Sequence, residues 1–530
     1  MMFHKKIRLW LTVMFFLGIA SGCDPASTGT EPAPSVESSV PTSAPISSPA
    51  TILNPGFEEE DTGWNSSGSE HAVLIEESGY SSSSFRLTHK ASETFIVDTS
   101  QSISGLANDW YTLRAWVRSS GKNEVYLALK CGEREKRVFA PATTPGYRWI
   151  QLVVSNQATN GQCTISLHSF GSPDSWASFD DIELVPGQAA LSILGADISS
   201  LNKSENKGGI YKYSDGTQAD ALQILKDNGL NYARMRVWVD PADGFHNKAE
   251  ILALALRLKS QGIKLLVDFH YSDDWADPGK QNKPAAWKDY DFEQLKQAVY
   301  DHTYDICSSL AAQGTPADMV QVGNEINAGL LWPDGDYNHF DNMAALLKSG
   351  AQAVKDSSSS TRIMLHIAEG GDNEMARWWF DNITRRDVPF DVIGVSYYPF
   401  WHGSLAQLQA NLNDLSVRYD KDVMVAELAY AFTVLEGDSH ANIAGRSMAA
   451  DGYLFTPEGQ RLMMRDVMSI VRAVQNGRGL GVFYWDATWT VVDGNGWNAQ
   501  DPLSGNSWDN QALFDFNYQA LPALAEYLNP

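Results

Sequence analysis

Residues 232–270 read YARMRVWVDPADGFHNKAEILALALRLKSQGIKLLVDFH. Two runs rich in β-branched, aromatic and other apolar residues, Tyr232 to Val239 and Ile263 to Phe269, bracket a segment carrying Ile251, Leu254, Leu256 and Leu258. Asn247 followed three residues later by Glu250 makes a capping-box-like helix start, and Gly262 stops the helix. The order is strand, helix, strand, the crossover that joins parallel neighbours in a sheet.

The same alternation runs outward on both sides. Strands are predicted at Leu191 to Ala196, Met319 to Val322, Ile363 to Ile367, Val392 to Ser396, Val423 to Ala426 and Gly481 to Trp485, giving eight in residues 191–530. Helices are predicted from Thr217 to about Gly229, from Phe292 to Ala312, from Leu405 to Tyr419, and from Pro457 to Gly477. Eight such units point to a closed (β/α)8 TIM barrel, an α/β fold whose chemistry sits at the C-terminal strand ends. No glycine-rich phosphate loop follows any strand, which argues against an open doubly wound sheet. Cys307 falls in step with Val299, Thr303 and Leu310 and reads as a buried apolar residue, not a catalytic thiol.

Residues 51–188 read differently. Tyr111 to Arg118, Glu124 to Leu129, Trp149 to Ser155 and Thr164 to Ser169 are short strand-like runs separated by Gly, Asn, Ser or Pro, as in an all-β sandwich. Before them, residues 24–50 hold 20 Pro, Ser, Thr or Ala among 27 positions, too little apolar surface to offset ordering, so 23–50 reads as a tether. Residues 1–22 carry Lys5, Lys6 and Arg8 ahead of a short apolar run, an export signal. In an exported chain Cys131 and Cys163 are able to pair. The whole chain has 40 Lys and Arg against 64 Asp and Glu, a formal charge of −24, which argues against a nucleic-acid surface.

The predicted strand ends are crowded with polar groups: Asp197, Arg236, His270, Asn324 with Glu325, His366 with Glu369, Tyr398, Glu427 and Trp485. Glu325 ends strand four and Glu427 ends strand seven, so a closed barrel turns both toward one cavity. Glycoside hydrolysis needs such a pair, one carboxyl protonated and the other ionised. Glu369 is the rival third carboxylate.

Finer motifs carry a resemblance. Gly195-Ala196-Asp197-Ile198-Ser199, Arg234-Met235-Arg236-Val237-Trp238, Asp268-Phe269-His270-Tyr271-Ser272-Asp273-Asp274-Trp275, Tyr397-Tyr398-Pro399-Phe400-Trp401-His402-Gly403 and Asp509-Asn510-Gln511-Ala512-Leu513-Phe514-Asp515 resemble glycoside hydrolase family 53, the endo-β-1,4-galactanases. The resemblance implies retaining hydrolysis of β-1,4-galactan with Glu325 as acid/base and Glu427 as nucleophile. It implies that Asn324 holds a sugar hydroxyl, that Arg236 and Tyr398 orient the nucleophile, and that His270 and Trp485 line the same subsite. Leu428, directly after the nucleophile, departs from the small polar residue common there. Asp438, His440 and Asn442 resemble the calcium-binding loop of bacterial members, although calcium prefers oxygen ligands. No organic cofactor is expected.

The opening Asn54-Pro55-Gly56-Phe57-Glu58 and closing Phe179-Asp180-Asp181-Ile182-Glu183-Leu184 of residues 51–188 resemble jelly-roll carbohydrate-binding modules, with Trp64, Trp110, Trp116, Trp149 and Trp176 as candidate sugar platforms. Ala20-Ser21-Gly22-Cys23 resembles a lipoprotein signal that would lipidate Cys23. The expectation is a monomer at the bacterial cell envelope, touching membrane only through that anchor. Hydrolysis of mannan, xylan or glucan, or glycan binding without catalysis, are the alternatives.

Overall fold

The computed structural model describes residues 51–80, 84–142 and 148–529. The export signal, Cys23 and the tether lie outside the described residues. Within them, no helix is long and apolar enough to cross a membrane.

Ten antiparallel strands build the front part as two five-stranded sheets. One runs Asn65–Gly68, Phe95–Ser104, Gln162–Gly171, Asn123–Cys131, Arg134–Phe139 in spatial order; the other runs Val73–Glu77, Phe85–Lys90, Trp176–Pro186, Trp110–Ser119, Ile150–Gln157. Alternate residues face inward, so Leu113, Ala115 and Val117 pack toward Leu127, Leu129, Ile165 and Leu167 in one core. Cys131 and Cys163 face each other across adjacent strands and form a disulfide. Trp64 is a core residue: its ring centroid lies 5.3 Å from that of Phe57, and its indole N–H donates to the Asn54 carbonyl.

Eight parallel strands then close into a barrel: Ile193–Asp197, Tyr232–Val237, Lys264–Phe269, Met319–Val322, Arg362–Ile367, Val392–Ser396, Asp422–Leu428 and Gly479–Tyr484, the last pairing with the first. The predicted strands fall in these places to within a few residues. Cys307 is buried in the helix Phe292–Ala312. Two helix boundaries move. The helix predicted from Thr217 begins at Ala221, because the Asp220 carboxylate caps it by accepting from the backbone N–H groups of Leu222 and Gln223. The last helix, Pro457–Arg472, stops before a short 3-10 turn at Gln475–Gly477.

Alternation along the barrel strands sorts the interior by depth. Tyr232, Leu266, Met319, Met364 and Met424 point inward near the strand starts and form an apolar plug with Leu480 and Phe483. Two residues further along the same faces come Arg234, Asp268, Gln321 and His366, all buried. Gly394 makes room in the plug: a Cβ there would sit 2.7 Å from the Met364 sulfur and 3.0 Å from the Ala426 methyl.

Sandwich and barrel share an interface. The Gln409 amide pairs with the backbone of Gln151 in both directions, at 2.7 and 2.9 Å. Tyr453, in the loop after barrel strand seven, accepts from the Ala142 N–H and donates to Asp466 at 2.7 Å.

Candidate functional site

A cavity of about 360 Å³ opens at the C-terminal mouth of the barrel, and both Glu325 and Glu427 line it. Glu427 comes from the end of strand seven. Its Oε1 lies 2.8 Å from Arg234 Nη2, and its Oε2 accepts from the Tyr398 hydroxyl at 2.8 Å. Glu325 follows strand four on a left-handed backbone, φ +47°, a conformation costing a non-glycine residue about 1–3 kcal/mol. Its Oε1 accepts from the Ser396 hydroxyl at 2.6 Å.

The two carboxyls differ electrostatically. Burial, with the charge of Glu427 facing it, pushes Glu325 well above the ordinary carboxyl range. Burial also raises Glu427, but the Arg234 guanidinium and the Tyr398 hydroxyl act against it and favour its ionised form. One proton is therefore best held by Glu325, next to an ionised Glu427.

Arg234 organises the layer beneath. Its Nη1 donates to Asp197 at 2.8 Å, its Nη2 to Asp268 and Asn324 at 2.8 Å each, and its Nε to Gln321 at 3.2 Å. The expectation that Arg236 orients the nucleophile is corrected here: Arg234 makes that contact. Arg236 points inward two residues further on, pairs with Asp486 at 2.7 Å, and lies 4.3 Å over the ring of Trp275. Strand periodicity puts both arginines on the inner face, and only the barrel's depth tells them apart.

Asn324, Tyr398, His270 and Trp485 all line the cavity. Asn324 is tightly held, its Oδ1 accepting from Arg234 and Gln321 and its Nδ2 donating to the Ala276 carbonyl at 2.9 Å. Both ring nitrogens of His270 are engaged, Nε2 with Asp268 at 3.1 Å and Nδ1 as acceptor from Ala276 N–H at 3.1 Å, so it shapes the wall. Trp485 packs against Trp508, centroids 4.7 Å apart. Trp275 and Trp497 stack in parallel at 4.4 Å and line the cavity together, while Trp401 stands at its rim with 47% of its surface exposed. Glu369 reaches the cavity edge from an exposed position and, among the described residues, forms no ion pair to match the Arg234–Glu427 contact.

The loop after strand seven holds Asp438, His440 and Asn442, but not as three side chains aimed at one point. Asp438 caps backbone, accepting from His440 N–H at 2.7 Å and Asn506 N–H at 2.7 Å, and the His440 ring bonds the Ser504 carbonyl at 2.9 Å. Asn442 Oδ1 is buried without a hydrogen-bond partner, and the Asp509 carboxylate is buried beside the Asn442 side chain and the Gly437 backbone N–H. Burial, with Asp438 nearby, pushes the Asp509 carboxyl up to about 7. A buried, unpartnered amide oxygen beside a carboxylate fits a hard cation, and the His440 imidazole does not. Asp509 arrives beside Asn442 from the loop after strand eight, a neighbour that sequence spacing does not reveal. Among the described residues no cluster of three His, Cys, Asp or Glu side chains with metal-holding geometry occurs.

Comparison with known proteins identifies the family of the barrel. Residues 193–527 match the sequence profile of glycosyl hydrolase family 53. The chain is 35% identical over 377 residues to an endo-β-1,4-galactanase of Bacillus subtilis, covering 65% of this chain and 87% of that protein. It is 36% identical over 348 residues to an arabinogalactan endo-β-1,4-galactanase of Thermothelomyces thermophilus, covering 64% and 99%. Among solved structures, the family 53 catalytic domain of Ignisphaera aggregans is 39% identical and covers 64% of this chain and 96% of its own, with a TM-score of 0.62.

Proposed function

Because the chain belongs to glycosyl hydrolase family 53, we propose that it cleaves internal β-1,4-galactosidic linkages of galactan, such as pectic side chains, with retention of configuration. The observation that carries the reading is the placement of two unlike carboxyls in one cavity, Glu325 bonded by Ser396 alone and Glu427 contacted by Arg234 and Tyr398. Ionised Glu427 attacks the anomeric carbon while Glu325 gives its proton to the departing glycosidic oxygen, leaving a galactosyl ester on Glu427. Glu325, now a carboxylate, takes a proton from water as the water oxygen displaces Glu427 from the anomeric carbon. Asn324 meets the hydroxyl beside the scissile bond, and Trp485, Trp401 and the Trp275–Trp497 stack supply faces for neighbouring sugar rings. Glu427→Gln should lower galactan turnover by about 10⁴-fold or more with the fold intact. Reducing-end release near the parent rate would sink the assignment, and a panel of mannan, xylan and glucan tests the sugar.

The front sandwich serves this reading as a carbohydrate-binding module that keeps polymer near the mouth. On one outer sheet face Tyr80 stacks on Trp116 at 3.8 Å, and Arg118 lies over Trp149 at 4.6 Å. In affinity electrophoresis against galactan, Trp116→Ala in a Glu427→Gln background should migrate with less retardation than Glu427→Gln alone.

A calcium ion would be held by Asn442 and Asp509 with backbone oxygens of the same two loops, bracing the loops after strands seven and eight. No organic cofactor enters the reading. Export through residues 1–22 and lipidation at Cys23 would place a monomeric enzyme at the cell envelope. Metabolic labelling with palmitate, lost in Cys23→Ala, tests the anchor.

A further inference from the structure

We propose that Ser396 and His366 are positioning residues for Glu325, closing a hydrogen-bonded ring that leads from its backbone N–H back to its own carboxyl. The proposal rests on the reading of Glu325 as the acid/base residue. His366 stands on strand five and Ser396 ends strand six, so three strands contribute to the ring.

The direction of each hydrogen bond follows from the donors. The backbone N–H of Glu325 donates to His366 Nδ1 at 3.4 Å, while the two hydrogens of the Gln321 amide go to Asp268 and Asn324. Nδ1 is thereby an acceptor. Asn324 Oδ1, 2.9 Å from Nδ1, already takes hydrogens from Arg234 and Gln321. Complete burial beside Arg234 keeps the His366 ring neutral, so its single hydrogen sits on Nε2. Nε2 is 2.9 Å from Ser396 Oγ and donates to it. Ser396 has one hydrogen left to place, and it goes to Glu325 Oε1 at 2.6 Å, a separation typical of a hydroxyl on a carboxylate.

The ring has a chemical consequence. With Oε1 held by Ser396, Oε2 is the oxygen that exchanges a proton, first with the leaving sugar oxygen and then with water. The Ser396 hydrogen suits both states of Glu325, meeting the carbonyl oxygen of the acid and the charge of the carboxylate. The charged and titratable groups facing Glu325 are Glu427 from strand seven, Asp277 from the loop after strand three, Arg234 from strand two, His366 from strand five and Tyr398 from the loop after strand six. Glu427 and Asp277 disfavour its carboxylate form, and Ser396 opposes them at hydrogen-bond distance.

The test compares wild type, Ser396→Ala and Ser396→Thr across pH, on galactan and on a dinitrophenyl β-galactobioside whose leaving group needs no proton. Ser396→Ala should lower kcat/KM on galactan by about tenfold and move the alkaline limb of its profile to higher pH, because the acid no longer meets a donor that favours its ionised form. On the activated substrate kcat/KM should change by less than about twofold, and Ser396→Thr should recover most of the loss on galactan. An unmoved alkaline limb, or equal losses on both substrates, would overturn the ring as a positioning device while leaving galactan cleavage by the wild type in place. A wild type inert on both substrates would overturn the enzymatic reading, and the proposal with it. Independently of any variant, nitrogen NMR of histidine-labelled wild type should show His366 protonated on Nε2; protonation on Nδ1 would contradict the ring.

Discussion

The bottom and the mouth of the barrel are built from the same strands, two residues apart, and are opposite in chemistry. Tyr232, Leu266, Met319 and Met364 fill the bottom with hydrocarbon and sulfur, whereas Arg234, Asp268, Gln321 and His366 fill the next level with interlocked polar groups. The plug is tolerant in principle, because apolar packing depends on volume; the polar level is not, because each member satisfies its neighbours. Stability and catalysis should therefore separate by depth within single strands.

Four changes break or sharpen that comparison. The largest effect should come from Glu427→Gln at the mouth, with galactan turnover lost and the melting temperature nearly kept. Arg234→Leu, one level down, should lose both: it strands Asp197 and Asp268 without their partner, a cost of about 3–5 kcal/mol read from denaturant unfolding, together with severe loss of kcat. Met424→Ala in the plug should cost about 2–5 kcal/mol of stability while kcat at a temperature where the variant is folded stays near wild type. If Met424→Ala lowered kcat as much as Arg234→Leu did, the separation by depth would be wrong. The smallest effect concerns the loops above. Chelation should lower the melting temperature and added calcium restore it, and Asp509→Ala should abolish the response.

The pH dependence follows from the same contrast. Glu325 is raised by burial and by Glu427, so its proton persists at pH values where an exposed glutamate is ionised, and the alkaline limb of kcat/KM should lie well above the ordinary carboxyl range. Loss of activity on that limb with an acid limb set by Glu427 is the expected bell, measured on galactan at saturating salt.

Much of this architecture was legible in the sequence, and the part that was not has a physical reason. The strand–helix alternation located all eight barrel strands, because apolar runs and caps such as Asn247 with Glu250 are local signals. Glu325 and Glu427 were legible because they end strands. Arg234 was passed over for Arg236: both sit on the inward face, and alternation carries no information about which depth meets the nucleophile. The meeting of Asp509 with Asn442 was not legible, because Asp509 comes from another loop, across 67 residues of chain. His366 was noticed at its strand end, yet its partnership with Ser396 depends on how strands five and six are staggered, which only the closed barrel shows.

The central claim is that Glu325 and Glu427 act as a retaining pair. Proton NMR of a galacto-oligosaccharide digest, recorded within the first minutes before mutarotation, reads the configuration of the newly formed reducing ends directly. The account predicts that β-configured ends appear first and decay toward the equilibrium mixture; α-configured ends appearing first would contradict it.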